Sequence, residues 1–388
     1  MKRKLLAVLL LLVVVGAFAF FFVASGVAER RLNKRLREPP YRASERACVL
    51  HASMLVADLH ADTLLWDRDP LERSSRGHVD VPRLSEGGVA LQFFTAVTRT
   101  PFSPNYESNR GGADAVTALA AAGRWPLRAW WSLKERALHQ ARKLEDAAAR
   151  SGGRLSVIRT AGDLARFVEA RARDPRAVAG VLGLEGAYPL EGDVANVDAL
   201  FDAGYRMMAP THFLDNEWGG SAHGVDKPGL TEKGREMVRR MEARGMLVDL
   251  AHASAATFDD VAAVATRPLL VSHTGVRGTC EGPRNLSDAQ LRRIAASGGV
   301  VGIGYWDGAT CGTDARAVAR AIRHAANVAG VGHVALGSDF DGAVAVPFDT
   351  TGVVEVTDAL LAEGFAEDEV RSIMGGNVFR LLAATLPR

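Results

Sequence analysis

The amino-acid sequence predicts an α/β protein: a (β/α)8 TIM-type barrel with a helical insertion between strands 2 and 3, preceded by an N-terminal transmembrane helix. Two observations predict the barrel. Eight short apolar runs alternate with stretches of helical pattern, and strands apolar on both faces belong to a parallel sheet covered by helices. About eight such units close a ring, and 388 residues suffice to build it. A third observation predicts the helix: residues 5–24 carry no charge, and about 20 apolar residues span a bilayer. An open doubly wound sheet would place a Gly-rich fingerprint after its first strand. Gly302-Ile303-Gly304 is too short for that and falls in strand seven.

Taken in order, Lys2, Arg3 and Lys4 precede the apolar run, and Arg30, Arg31, Lys34, Arg35 and Arg37 follow it. A signal peptide cut at Gly26-Val27-Ala28 is the alternative. Its apolar core would be about 7–15 residues, so the length favours an uncleaved anchor. Residues 1–28 then form the anchor or signal, 29–45 a short stalk marked by Pro39-Pro40, and 46–388 the barrel domain. The expected strands are 54–59, 89–97, 177–184, 206–211, 246–251, 269–272, 300–305 and 334–338, with helices at 197–203, 231–244, 255–265, 288–296 and 314–328. Residues 98–176, with Trp130-Trp131 and a charged helical stretch, read as an excursion that packs on the barrel or lids its mouth.

Charge excludes a nucleic-acid partner. Residues 1–42 hold nine of the 47 Lys and Arg but two of the 45 Asp and Glu, leaving 38 basic against 43 acidic side chains in the body. A mildly acidic body offers no basic stripe. The positive charge flanks the membrane segment.

The chemistry gathers at strand ends. His60 and Asp62 in DLHAD stand two apart, which on a strand turns both to one face. Imidazole with a carboxylate oxygen suits a divalent metal such as zinc. Later runs end alike: Glu185 in GLEG, His212 in APTH, His252 in LVDLAH, His273 in LLVSH, Tyr305, and Asp339 in GSDFDG. In a barrel these ends share one rim. Packing does not explain so many buried ionisable groups, because buried charges need partners. Two metals about 3.5–4 Å apart can share a carboxylate and a bridging hydroxide, which attacks a carbonyl while a nearby carboxylate moves the proton. That is amide hydrolysis. By spacing, Asp339 and Asp341 fall on one strand face, so pattern does not choose between them. His51, His78, His139, His324 and His333 fit no strand end and read as surface or loop residues, and His223 as a loop residue without a role.

In the motifs DLHAD, GLEG, PTHFLDNEW, GMLVDLAHAS, VSHTG, GPRNLSD, GSDFDG and GGNVFRLL, which cover residues 56–382 in order, the chain resembles the membrane dipeptidase (renal dipeptidase) family of zinc metallopeptidases. The resemblance implies two zinc ions, one on His60 and Asp62, the other on His252 and His273, with Glu185 bridging. It implies that His212 contacts the substrate, that Arg284 and Tyr305 hold the dipeptide's free carboxylate, and that Asp339 shuttles the proton. Arg284 lies in the loop after strand six, where a guanidinium fork can clamp a carboxylate. The resemblance also implies a Cys280–Cys311 disulfide, hence an oxidising compartment and a catalytic domain outside the cytoplasm, with Cys48 unpaired. One departure stands beside His212. Asp215 occupies the place where the mammalian-type stretch has Asn, and Asn216 follows, which bears on the polarity of the substrate pocket.

The function expected is zinc-dependent hydrolysis of small dipeptides by a membrane-held enzyme, with a homodimer left open. The alternative within enzymes is a related binuclear amidohydrolase acting on an N-acyl amino acid or lactam. From another class, a silent binding protein on the same barrel would lack bound metal.

Overall fold

In the computed structural model, which describes residues 2–388, eight parallel strands form the expected barrel. They are β1 (Val56–Ala61), β2 (Val89–Val97), β3 (Val178–Glu185), β4 (Tyr205–Met208), β5 (Leu247–Val248), β6 (Leu270–Thr274), β7 (Val300–Ile303) and β8 (Val334–Leu336). Neighbours pair in chain order and β8 returns to β1. A parallel bridge from Asp249 to Leu270 joins β5 to β6 and completes the ring. Every residue of these strands is buried, which is why their sequences run apolar without alternation.

Several strands are shorter than their apolar runs suggest. At the C-terminal rim, carboxylates take backbone amides that a ladder would otherwise use. Asp249 Oδ1 accepts from the amides of Ala251 (3.0 Å) and Ser272 (2.8 Å), and Asp58 Oδ2 from Ser338 (3.0 Å). β1, by contrast, begins and ends two residues later than expected and so includes His60. The crossover helices lie close to expectation. Glu232–Arg244, Ala255–Val264, Asp288–Ala296 and Ala315–Ala329 each start behind a cap, as Thr231, Ser254, Ser287 and Asp314 accept an amide from the first turn.

The excursion after β2 does both things expected of it, with different segments. Helix Leu133–Arg150 packs outside the barrel: the Tyr205 hydroxyl donates to Ala137 O (2.8 Å) and Gln140 Nε2 to Val97 O (2.9 Å). An unforeseen strand, Leu155–Val157, pairs with β3. The segment over the mouth is the loop before helix Ala115–Ala122, whose Asn109 amide donates to His223 O (2.7 Å).

The stretch read as a stalk is packed. One helical stretch, Lys2–Leu32, has a mean hydropathy of 3.1 in its apolar window, long and apolar enough to cross a membrane. Its last turns dock on the barrel: Phe21, Ala24, Ser25, Ala28 and Glu29 are buried or half-buried at helical spacing, while Phe22, Val23, Val27, Arg30 and Arg31 stay exposed. Glu29 is paired with Arg68 (2.7 Å) and Arg76 (2.9 Å). Lys34–Arg35 then adds a two-residue strand to Ala345–Val346. Charge and hydrogen bonding tie residues 29–37 to the body, so they do not swing free.

Candidate active site

The strand-end residues converge at the C-terminal rim. Glu185, the last residue of β3, is the hub. Its Oε1 lies 3.3 Å from Nε2 of His60, of His252 and of His273, and its Oε2 lies 3.1 Å from His212 Nε2. His60 Nε2 is 3.4 Å from Asp62 Oδ1 and 4.0 Å from Asp339 Oδ1. His252 Nε2 and His273 Nε2 are 3.0 Å apart. All seven side chains are buried. Three overlapping groups could hold a cation: His60, Glu185 and His273; Glu185, His212 and His252; His60, Asp62 and Asp339.

A supporting layer orients the imidazoles. Ser272 Oγ donates to Asp249 Oδ2 (2.6 Å) and lies 3.2 Å from His60 Nδ1 and 2.9 Å from His273 Nδ1. A hydroxyl that accepts at both Nδ1 atoms leaves both Nε2 atoms facing the hub, where a bound cation would take the place of the His60 Nε2 proton. Asp249 and Ser272 escaped the sequence reading, although each lies within three residues of a strand-end histidine. Backbone strain marks the same place: His252 and Asp339 have φ of +62° and +61°, uncommon for non-glycine residues and characteristic of functional sites.

The electrostatics are those of a cluster short of positive charge. Burial, reinforced by Asp62, raises Glu185 well above the usual carboxylate range. Burial likewise lifts Asp339 to about 8 against the pull of His60. Burial opposes charge on His60, yet Glu185 and Asp62 outweigh it and raise that imidazole to about 10. His252 and His273 are held well below their ordinary value, first by burial and then by Arg284 and His60 respectively. Glu185 Oε1 has no hydrogen-bond partner. An orphaned carboxylate oxygen ringed by three imidazole nitrogens fits divalent cations.

Arg284 is buried, and burial lowers its pKa. Its Nη2 donates to His273 O (2.6 Å) and its guanidinium lies 5.8 Å from the Trp306 ring. A disulfide joins Cys280 to Cys311, and Asn285 Nδ2 donates to Cys280 O (2.7 Å) and Gly308 O (3.0 Å), so the Arg284 loop is pinned. Cys48 is free and exposed.

Two expectations are corrected. Tyr305 does not join Arg284: its ring packs edge-on against Phe340 (5.5 Å) and Phe348 (5.7 Å), with its hydroxyl buried and unpartnered. Trp306 takes the place beside Arg284, over Gly304, where a Cβ would come within 2.0 Å of the indole. Asp339 and Asp341 do not share a face, because both are left-handed (φ of +61° and +63°) and strand alternation stops before them. Asp341 is committed to Thr63 Oγ1 (2.7 Å), the His78 amide (2.6 Å) and Arg68.

Asp215 does not alter the pocket as its charge suggested. Its carboxylate accepts from the amides of Ser221 (2.8 Å), Asp226 (2.9 Å) and Lys227 (3.2 Å), shaping the loop that carries His223. His223 is buried between Phe213 (4.9 Å) and His252 (5.1 Å), with Nδ1 2.9 Å from Tyr106 O. Desolvation of its hydroxyl raises the Tyr106 phenol to about 12, with Asp339 adding to the rise and Arg284 opposing it, although 37% of the residue stays exposed. Neither residue follows a strand, so nothing in their spacing singled them out. His51 and His78 are also buried, contrary to expectation.

A closed α/β barrel with a cation-ready cluster on its catalytic rim defines a metal-dependent hydrolase class. Residues 44–386 match the family described as membrane dipeptidase (peptidase family M19). A dipeptidase of Aspergillus oryzae, aclJ, is 32% identical over 219 residues, 54% of this chain and 52% of its own length, so the chain spans about half of that relative. Among solved structures, the M19 metallopeptidase dipeptidase AC superposes with a TM-score of 0.69 at 27% identity, covering 87% of this chain and 100% of that one. A Rhodobacter sphaeroides metallopeptidase bound to a phosphinate mimic of the dipeptide L-Ala-D-Ala gives 0.70 at 28% identity, with 86% and 99% covered. The chain belongs to the membrane dipeptidase family, M19, and is a metallo-dipeptidase by that membership.

Proposed function

We propose that this protein is a membrane-anchored dipeptidase that holds two zinc ions and hydrolyses dipeptides, including those with a D residue in second position. The observation that carries the reading is Glu185 Oε1, unpartnered and 3.3 Å from three imidazole nitrogens. His60 and Asp62 would hold one ion, His252 and His273 the other, with Glu185 between them. Bound together, two such ions supply an activated water and polarise the scissile carbonyl. His212, held to about 3 by burial and then by His223, stays neutral and contacts the substrate. Asp339, with Oδ1 4.0 Å from His60 Nε2, takes the proton from the attacking water and delivers it to the leaving amine. The anchor reading is supported by the docking of Ser25 and Glu29, and an exported catalytic domain by the disulfide.

Arg284 sets the substrate's length. A dipeptide presents its carboxylate one residue from the scissile bond, within reach of a buried guanidinium; a tripeptide or a C-terminal amide does not. The test uses the zinc-loaded full chain on a dipeptide, its amide and a tripeptide. Only the free dipeptide is expected to turn over well. Arg284→Ala is expected to lose roughly 2–4 kcal/mol of kcat/KM with metal content intact. Equal turnover of dipeptide and amide would move the N-acyl amino acid or lactam reading ahead.

A further inference from the structure

We propose that the segment Arg124–Trp131 is a membrane-seating surface that rests the barrel's catalytic rim on the headgroups of an anionic bilayer. The inference rests on the reading of Lys2–Leu32 as an uncleaved spanning helix. Leu127 and Trp131 are 64% and 70% exposed, and Arg124, Pro126 and Arg128 between and beside them are exposed as well. Arg124 Nη2 also donates to Asp67 Oδ2 (3.1 Å) in the loop after β1, which fixes the segment to the body, and the exposed Leu127, Arg128 and Trp131 side chains point away from the barrel core.

The helix shows what covers them. Arg124 Nη1 donates to the Phe21 carbonyl oxygen, and the Arg124 guanidinium lies 4.7 Å from the Phe22 ring. Ala28 of the same helix packs on the cluster that holds Trp125 and Ala129. At about 1.5 Å per residue, Phe21 stands about 24 Å along the helix from Leu5, whereas the hydrocarbon core is about 30 Å thick. The Arg124 contact therefore falls near the boundary of hydrocarbon and headgroups. Trp and Leu with flanking Arg suit that layer, the ring and alkyl groups entering it and the cations meeting lipid phosphate. Exposed Arg30, Arg31 and Lys34 add charge of the same sign at the helix exit.

No flexible stalk intervenes. Glu29 is paired with Arg68 and Arg76, and Asn33 Oδ1 accepts the Ala343 amide (2.8 Å). These contacts lie on the loops after β1 and β8, so the helix leaves the barrel from the same rim as the candidate active site. The body cannot stand off from the bilayer, and a substrate reaches the site along the membrane surface.

The test places nitroxide labels on the full chain in phosphatidylcholine–phosphatidylglycerol nanodiscs and compares collisions with oxygen and with an aqueous nickel chelate. Leu127→Cys and Trp131→Cys are labelled in a Cys48→Ser background, with dipeptidase activity confirming the fold. Native Cys48, on the helix Glu45–Ala52 that precedes β1, is the control at the opposite end of the barrel. Gly16→Cys, where a Cβ meets nothing within 4 Å, reports the spanning helix. The expected result is an oxygen-to-nickel ratio severalfold higher at positions 127 and 131 than at 48. Aqueous ratios at 127 and 131 with a deep label at 16 would overturn the seating and leave the anchor standing. An aqueous label at 16 would overturn both. Dipolar broadening between position-127 labels on two chains would assign the patch to a contact between copies and overturn it likewise.

Discussion

At the scale of single residues, the site is a set of division-of-labour choices made by environment. Asp339 and Asp341 are two residues apart on one turn, yet Arg68 and hydrogen bonds from Thr63 and the His78 amide occupy Asp341, while Asp339 faces His60 with its carboxyl raised by burial. Asp339→Asn is expected to lower kcat by roughly 10²-fold or more while leaving metal content near normal, as for a lost general acid–base. Elemental analysis decides it: metal loss would make Asp339 a ligand. The histidines and carboxylates were legible because each closes an apolar run, and a barrel sends every such end to one rim. Tyr106 and His223 were not, since loops carry no period that says where a side chain points. Tyr305 misled because the last residues of its run leave the ladder after Ile303, and alternation no longer tells inward from outward.

At the scale of elements, the loops after β6 and β7 act as one unit. The Cys280–Cys311 disulfide closes a loop of 31 residues, worth roughly 3–4 kcal/mol in the chain-entropy account, and Asn285 bonds both sides of it. Replacing both cysteines by serine is expected to lower Tm and to raise KM for dipeptides more than it lowers kcat, because Arg284 loses its fixed position while the strands that carry the candidate metal ligands do not. Unchanged KM with lost metal would contradict that picture. Helix and strand order were readable from periodicity, and the expected helix starts fall within a residue of the observed ones, where Thr231, Ser254, Ser287 and Asp314 cap the first turns. Strand lengths were not readable. They depend on side chains such as Asp249 and Asp58 capturing amides from other strands, a tertiary event.

For the whole molecule, stability and function share buried ionisable groups. His78 is fully buried; burial lowers it to about 4 despite Asp341 beside it, and its Nδ1 accepts the Asp341 amide (2.9 Å). The unfolded chain, with an ordinary histidine value near 6.5, binds more protons between about pH 4 and 6.5. Stability therefore rises with pH through that window and is fully present above it, with about 3 kcal/mol at stake from this group. Denaturation midpoints should fall from pH 7 to pH 4.5, and His78→Gln should flatten that fall; an equal slope in the variant would remove His78 from the account. The central claim is that five buried side chains of the proposed site, His60, Asp62, Glu185, His252 and His273, hold two cations, and that His212 and Asp339 stand beside them. Metal content measured on the purified full chain after zinc reconstitution tests it most directly. About two ions per chain are expected, and a value well under one would contradict the account.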